Sequence, residues 1–508
     1  MGRAAVAPDG GLRMGTPQAR WVLLTTALGS GLAFLDATVV NVALERSGTD
    51  LDAGFSGLQW TVNAYTLTLA SLILMGGSLG DRFGRRRVFI VGVVWFAGAS
   101  LLCGLAPDVQ TLVAARALQG VGGALLTPGS LAIISASFSG SDRAAAVGAW
   151  SGLAGVAGAI GPFVGGWLVE WSWRAVFLVN LPLAVVIVAV AARHVPESRD
   201  PEAPQRLDWA GTGLVAVGLG CLTYALTAAG APGGGAAYLA WGALGVVALI
   251  GFALAQRRST FPLVPPALFR DPQFSAANAV TLLVYAALGA LFVLLVLQLQ
   301  VVSGFPPLLA GTALLPVTVL MLLFSARVGA LAQRVGPRPL LTVGPLVAAV
   351  GVLLMLRIGP DASYVTDVLP ATVLFGAGLT LLVAPLTATV LDSAADRYAG
   401  VASGVNNAVA RAAGLLAVAV VPVAAGITGD AYTDPAALDA GFRTAMLLCA
   451  GLLVAGALVA AVLVRRPLGA EEPGPPTRIP LEECLHCGVT GPQLDPQQST
   501  TTAGEASR

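Results

Sequence analysis

Apolar runs of about 20 residues recur along the whole chain, separated by short polar or arginine-bearing joints. The first reads WVLLTTALGSGLAFLDATVVNVAL and the last AMLLCAGLLVAGALVAAVLV. At ~1.5 Å rise per residue such a run crosses ~30 Å of hydrocarbon as a helix. A β-barrel would show alternating segments about half as long. The pattern predicts fourteen helical spans, at roughly 21–44, 58–79, 88–106, 110–137, 144–168, 174–193, 208–229, 236–255, 276–298, 308–331, 340–358, 366–390, 401–425 and 442–464.

Composition supports an all-α polytopic membrane protein. The 508 residues are 56% hydrophobic and 11% charged, with a mean hydropathy of +0.80. All 28 basic residues are arginine, which together with 62 Gly and 32 Pro reads as coding bias rather than chemistry. A net charge of +1 offers nothing to nucleic acid, and no stretch suits a large soluble domain. The first run is too long for a signal peptide and lacks a cleavage site, so it is expected to stay as the first span. Cys103, Cys221 and Cys449 sit in apolar runs as packing residues. Cys484 and Cys487 form a lone C-x-x-C in the tail, which is at most half a zinc site.

Arginine placement orients the spans. Twenty-two arginines fall in the two tails and alternate joints, and four (Arg46, Arg174, Arg357 and Arg443) fall on the opposite side. The positive-inside rule then places both termini in the cytoplasm of a cell-membrane protein. The remaining two, Arg116 and Arg411, lie within spans.

A repeat is visible at an offset of 252 residues. Gly77, Leu79, Arg82, Gly84 and Arg86 map onto Gly329, Leu331, Arg334, Gly336 and Arg338, and Gly148, Ser151 and Gly152 onto Gly400, Ser403 and Gly404. The chain thus divides into a tail (1–20), a six-helix half (21–193), a two-helix insert with flanking loops (194–275), a second six-helix half (276–465) and a disordered cytoplasmic tail (466–508). Parallel six-span repeats are a mark of secondary transporters that alternate access around a midplane site.

Charges inside spans are functional candidates. Asp36 shares a helical stripe with Gly29, Ala33 and Ala37, and Arg116 a similar stripe with Gly120, Gly123 and Thr127. Both lie at comparable depth, so the two can meet. One reading is a structural ion pair. The other makes Asp36 a proton carrier with Arg116 as its partner, since burial favours a neutral carboxyl and a nearby cation favours the ionised one. In span 5, Gly148, Gly152, Gly155, Ala159, Pro162 and Gly166 form one face without bulk, thickened by Gly161 and Gly165. Such a face lets another helix approach closely. The repeat replaces it in span 13 with Asn407 and Arg411, and Arg411 either recognises substrate or bonds to backbone carbonyls.

Five charges crowd the last seven positions of GSLGDRFGRRR, residues 77–87. This stretch matches a known loop motif through Gly77, Leu79, Asp81, Arg82, Gly84, Arg85, Arg86 and Arg87. LVAARALQGVGGA matches a span 4 motif through Arg116, Gln119, Gly120 and Gly122. GAIGPFVGG matches a span 5 antiporter motif through Gly161, Pro162, Gly165 and Gly166, and LDATVVNVAL a span 1 motif through Asp36, Thr38, Asn41 and Ala43. WSWRAVFLVNLPL also looks typical. Through these motifs the chain resembles, over about residues 20–465, the fourteen-span drug:proton antiporter branch of the major facilitator superfamily. It departs at Glu45, where proline is usual, and at Ala157, where the longer span 5 motif has glycine.

The resemblance implies the major facilitator fold, with two pseudo-symmetric halves of six helices and two inserted helices. It implies a conformational latch at Gly77, Asp81, Arg82, Gly84, Arg85 and Arg86, with Asp81 pairing with an arginine or with a helix N-terminus across the domain interface. It implies proton coupling at Asp36 and Arg116, and helix packing at Gly152, Gly155, Gly161, Pro162, Gly165 and Gly166. Asn41, Gln119, Asn407 and Arg411 are expected to line a substrate cavity. The expected function is proton-driven export of lipophilic or cationic small molecules (drugs, antibiotics or secondary metabolites). No cofactor is expected beyond the proton gradient. The expected partners are substrate, protons and lipid, with the monomer as functional unit. A nutrient importer is the alternative. A membrane enzyme lacks support, because the two histidines, His194 and His486, lie outside the spans.

Overall fold

The structure is a computed structural model that describes residues 12–138, 140–200, 207–229, 237–259, 262–394, 399–428 and 434–464. Local sequence sets where its helices start. Thr16 caps α1 (Pro17–Asp50), accepting from Ala19 N at 3.2 Å, with Pro17 in the first turn. Asp271 caps α10 (Pro272–Leu297) and Asp434 caps α16 (Pro435–Leu463), each followed by proline. Asp108 caps α4 (Val109–Ser137) by accepting from Thr111 N at 2.8 Å, which holds its carboxyl below the usual carboxylate range.

Between these run α2 (Phe55–Phe83), α3 (Arg85–Gly104), α5 (Gly140–Trp171), α6 (Ala175–Leu178) and α7 (Asn180–His194), completing the first half. The insert is α8 (Trp209–Ala229) and α9 (Ala237–Arg258). The second half is α10, α11 (Pro307–Thr312), α12 (Leu315–Val335), α13 (Pro337–Leu354), α14 (Leu369–Asp392), α15 (Ala399–Ala424) and α16. Among the described residues, thirteen helices are long and apolar enough to cross a membrane. The expected span 144–168 falls on α5, a 32-residue helix several of whose side chains lie outside the described residues.

Within the first half α4 packs between α2 and α3, and α1 packs on α5. Within the second, α13 packs on α14, and α10 packs on α15 and α16. The insert folds back as a hairpin whose α8 touches both α2 and α15. Leu219 of α8 there joins Ala70 of α2 and Leu415 of α15 in a small apolar core. The insert therefore covers the seam between the halves rather than standing apart. Outward-facing apolar residues such as Leu239, Val247 and Ile250 of α9 form the lipid-facing surface of a multi-pass membrane protein.

Candidate functional site

Asp36 and Arg116 meet directly. Asp36 lies in α1 and Arg116 in α4, and they are 0% and 1% exposed. Arg116 Nη1 donates to Asp36 Oδ2 at 2.6 Å. Packing of α4 on α1 brings them together, and close packing of α4 on α2 frames the arginine. Gly120, one turn from Arg116, sits against the Tyr65 carbonyl of α2, where a Cβ would clash. The guanidinium then lies over the Tyr65 ring, 4.3 Å from Cζ to centroid, and its Nε donates to Thr61 O at 3.0 Å.

Two amides complete the cluster. Gln119 Nε2 donates to Asp36 Oδ1 at 2.7 Å and to Ser100 Oγ at 2.8 Å, while Gln119 Oε1 accepts from Arg116. Asn180 Nδ2 donates to Asp36 Oδ1 at 3.0 Å. Gln119 was expected to line a substrate cavity; the structure instead buries it fully, with both amide ends engaged in this cluster. Asn180, in WSWRAVFLVNLPL, was not singled out as a site residue, yet an amide inside an apolar run was its signal.

The cluster has a chemical consequence. The two carboxylate oxygens face three donor groups, so an added proton would point at a donor. A proton placed on Asp36 would therefore need Arg116, Gln119 or Asn180 to withdraw. Removing one member of a buried pair costs about 3–5 kcal/mol, because the survivor stays charged and unpaired. The arrangement is thus stable closed and costly half-open, which suits a two-position switch.

The loop motif builds a second site at the far edge of the same half. Gly84 ends α2 and precedes α3, with φ +114°, a conformation that side-chain-bearing residues rarely adopt. A Cβ there would lie 2.7 Å from Glu197 Oε1. Asp81 pairs with Arg85 at 2.8 Å, inside the same half rather than across to the other. Glu197 sits at the N-terminus of α3, where its Oε1 accepts from Arg86 N at 3.1 Å and its Oε2 faces Arg86 and Arg87 at 3.7 and 3.6 Å. Backbone bonds from Arg85 N to Ser198 O and from Asp200 N to Asp81 O tie the 195–200 segment along the loop. Glu197 was missed from the sequence because nothing local marks it. Arg82 is exposed over the neighbouring Phe83 ring, and Gly77 lies in α2 facing Pro128 of α4.

The span 5 motif reaches two neighbours. Gly161 and Gly165 pack on Thr38 and Val39 of α1, and Gly166 packs on Leu308 of α11 in the second half. The surroundings of Gly152, Gly155 and Pro162 lie outside the described residues, as do Cys484 and Cys487. The Gly166 contact belongs to a set that joins the halves at the end opposite the 77–87 loop. There Gln59 Nε2 donates to Val418 O at 2.8 Å, and Gln300 Nε2 donates to Val42 O at 3.1 Å. Asn41, beside Val42, is half-buried at this end.

On α15, Asn407 is exposed and Arg411 half-buried. Arg411 reaches across to the Phe34 ring of α1, with Cζ 5.7 Å from the centroid. A crevice of about 680 Å³ also opens beside α2 and α4, lined by Trp60, Leu67, Thr68 and Val113 among others.

Comparison with known proteins agrees with the geometry. A family model described as Major Facilitator Superfamily matches residues 26–418. The "Puromycin resistance protein pur8" of Streptomyces alboniger is 37% identical over 83% of this chain and 86% of its own. The "Tetracenomycin C resistance and export protein" of Streptomyces glaucescens is 35% identical over 84% and 79%. The "Methylenomycin A resistance protein" of Bacillus subtilis is 34% identical over 84% and 91%. Among solved structures, a bacterial homologue of the human lysosomal transporter Spinster, in an inward-facing and unoccupied conformation, superposes with a TM-score of 0.63 at 18% identity, over 89% of this chain and 98% of that one.

Proposed function

The chain belongs to the Major Facilitator Superfamily, and from that membership we propose that it exports antibiotic-like small molecules from the cell by proton antiport. Its relatives named for resistance and export support the substrate class and direction. The sealed Asp36 cluster carries the coupling part of the reading. Asp36 takes the proton when substrate or helix movement draws Arg116 away, and releases it when the pair closes. One such carboxylate corresponds to about one proton per cycle.

Placed by the positive-inside rule, the latch end faces the cytoplasm, as do both termini of this cell-membrane protein. The Gln59, Gln300 and Gly166 contacts then seal the outer end, and exposed Asn407 faces the cytoplasmic side. This is the state that loads substrate from inside. Asp81–Arg85 and Glu197 brace the hinge between α2 and α3 during switching.

Two experiments test the reading. A host stripped of its own efflux pumps, with and without this protein, is challenged with puromycin and with other antibiotics. The expected result is raised resistance to at least one compound. In proteoliposomes with an imposed pH gradient, the wild type concentrates that compound. Asp36→Asn retains downhill exchange but not uphill transport, because a neutral amide mimics the protonated acid. Uphill transport by Asp36→Asn would place the proton elsewhere and end this mechanism.

A further inference from the structure

Arg411 sits twelve residues from the start and thirteen from the end of the 26-residue α15. That is about 18 Å from either end at ~1.5 Å per residue, the middle of the span. Its neighbours define which way it points. Gly414, one turn on, packs on Gly289 and the Tyr285 carbonyl of α10, and Leu415 packs with Ala70 of α2. Phe34 of α1 lies across from its guanidinium. Half-buried and one turn beyond exposed Asn407, Arg411 faces the space between the halves rather than lipid.

Its counter-charge is not found among the described residues. Asp36 has both oxygens occupied by Arg116, Gln119 and Asn180. Asp367 pairs with Arg357 and Asp439 with Arg443, both at helix ends. Arg411 makes no hydrogen bond or ion pair among the described residues; its described contact is the Phe34 ring. Arg116, by contrast, bonds to an acid, an amide and a carbonyl. A charge held at this depth without a partner calls for one. Aromatic faces can cradle a guanidinium, but they leave its N–H groups free for an acceptor.

We infer that Arg411 binds an acidic group on the substrate (a carboxylate, a sulfonate or an ionised phenol), with Phe34 and Tyr285 beside the substrate's aromatic body. This rests on the exporter reading. It narrows the substrate class away from lipophilic cations, which would meet a like charge while the carboxylate nearby stays sealed. It also changes the energetics. A proton entering as a monoanion leaves moves two charges per cycle, against one for a neutral substrate, so transport responds twice as steeply to membrane potential.

The test uses two probes with one aromatic body, anilinonaphthalene sulfonate and phenylnaphthylamine, which differ by the sulfonate. Each is titrated into purified full-length protein in lipid nanodiscs, with protein-free discs subtracted. The sulfonate is expected to bind the wild type about tenfold or more tightly than the amine, as a charge-assisted bond provides. Arg411→Gln brings the ratio to near one, and Arg411→Lys, which keeps the charge, retains most of it. Equal binding by the wild type, or an undiminished ratio in Arg411→Gln, overturns the inference. A second arm loads the sulfonate into proteoliposomes and imposes a pH gradient. A preserved binding ratio without gradient-driven movement would sink the exporter reading while leaving the acid site in place.

Discussion

The two halves share one scaffold and differ in their charges. At the 252-residue offset, Gly84 and Gly336 both join two helices with a positive φ, +114° and +79°, and α3 and α13 each begin at the next residue. The same offset sets Asp36 against Leu288, and Arg411 against Ala159. The first half therefore holds a sealed acid–base pair, and the second an unsealed cation near the seam. A duplicated backbone supplies two matching rigid bodies. On the roles proposed above, the unduplicated charges would give each body its own task, proton handling in one and ligand binding in the other.

Breaking the sealed pair is expected to have the largest effect. Arg116→Ala leaves Asp36 buried with two amides and no cation, and should cost about 3–5 kcal/mol. The check is the thermal unfolding of protein purified in one detergent. Asp36→Asn combined with Arg116→Ala should recover part of that loss, because no unpaired charge then remains. If the double variant is as unstable as the sum of the singles, the two side chains are not energetically coupled. Arg411→Gln, in contrast, should leave stability nearly unchanged, since Arg411 has no hydrogen-bond or ion-pair partner among the described residues to orphan.

The latch is the next contrast. Asp81→Asn removes a partner of Arg85, and Glu197→Gln removes the charge facing Arg86 and Arg87. Both are expected to express normally and to lose most transport, measured as resistance at equal protein level. Near-normal resistance in both would reduce the loop to an orientation signal. Gly84→Ala should cost about 1–2 kcal/mol, since it strains the backbone and displaces Glu197. That substitution is read most simply by a lowered unfolding temperature.

Helical spans, the repeat and the Asp36–Arg116 pair were legible in the chain, and each for a physical reason. Long apolar runs and costly intramembrane charges are strong signals. The limits of α1 were less so, because it runs from Pro17 to Asp50 against an apolar run at 21–44. Its last turns are polar, with Ser47 and Gly48 buried and exposed Asp50 accepting from Trp173 Nε1 at 2.8 Å. Gln119 was visible as a polar residue, but its direction was set by where Asp36 and Ser100 lie in three dimensions. Glu197 and Asn180 belong to segments far along the chain from the residues they serve. The bond from Asn406 to Thr281, at 2.8 Å, likewise joins α15 to α10, whereas the sequence pattern drew attention to its exposed neighbour Asn407.

The smallest expected effect sharpens the comparison at the seam itself. Gln59 and Gln300 each spend one amide N–H on a carbonyl of the other half, at Val418 and Val42. Neither bond can survive separation of the two halves at that end. A typical hydrogen bond contributes about 1 kcal/mol net, which is about a fivefold shift in the ratio of two conformations. Gln59→Ala should therefore raise the population open at the end opposite the latch by about that factor, and Gln300→Ala likewise. Because the two contacts lie on different helix pairs, the double variant should approach the product of the two shifts. An Asn41→Cys reporter, half-buried at this end, reads the change as the rate of labelling by a membrane-impermeant thiol reagent from outside the cell. The buried Cys103, Cys221 and Cys449 contribute little background, and the reporter carries Cys484→Ser and Cys487→Ser. Unchanged labelling in the double variant would mean that these bonds are equally made in both states, and that apolar contacts such as Gly166 on Leu308 hold that end closed.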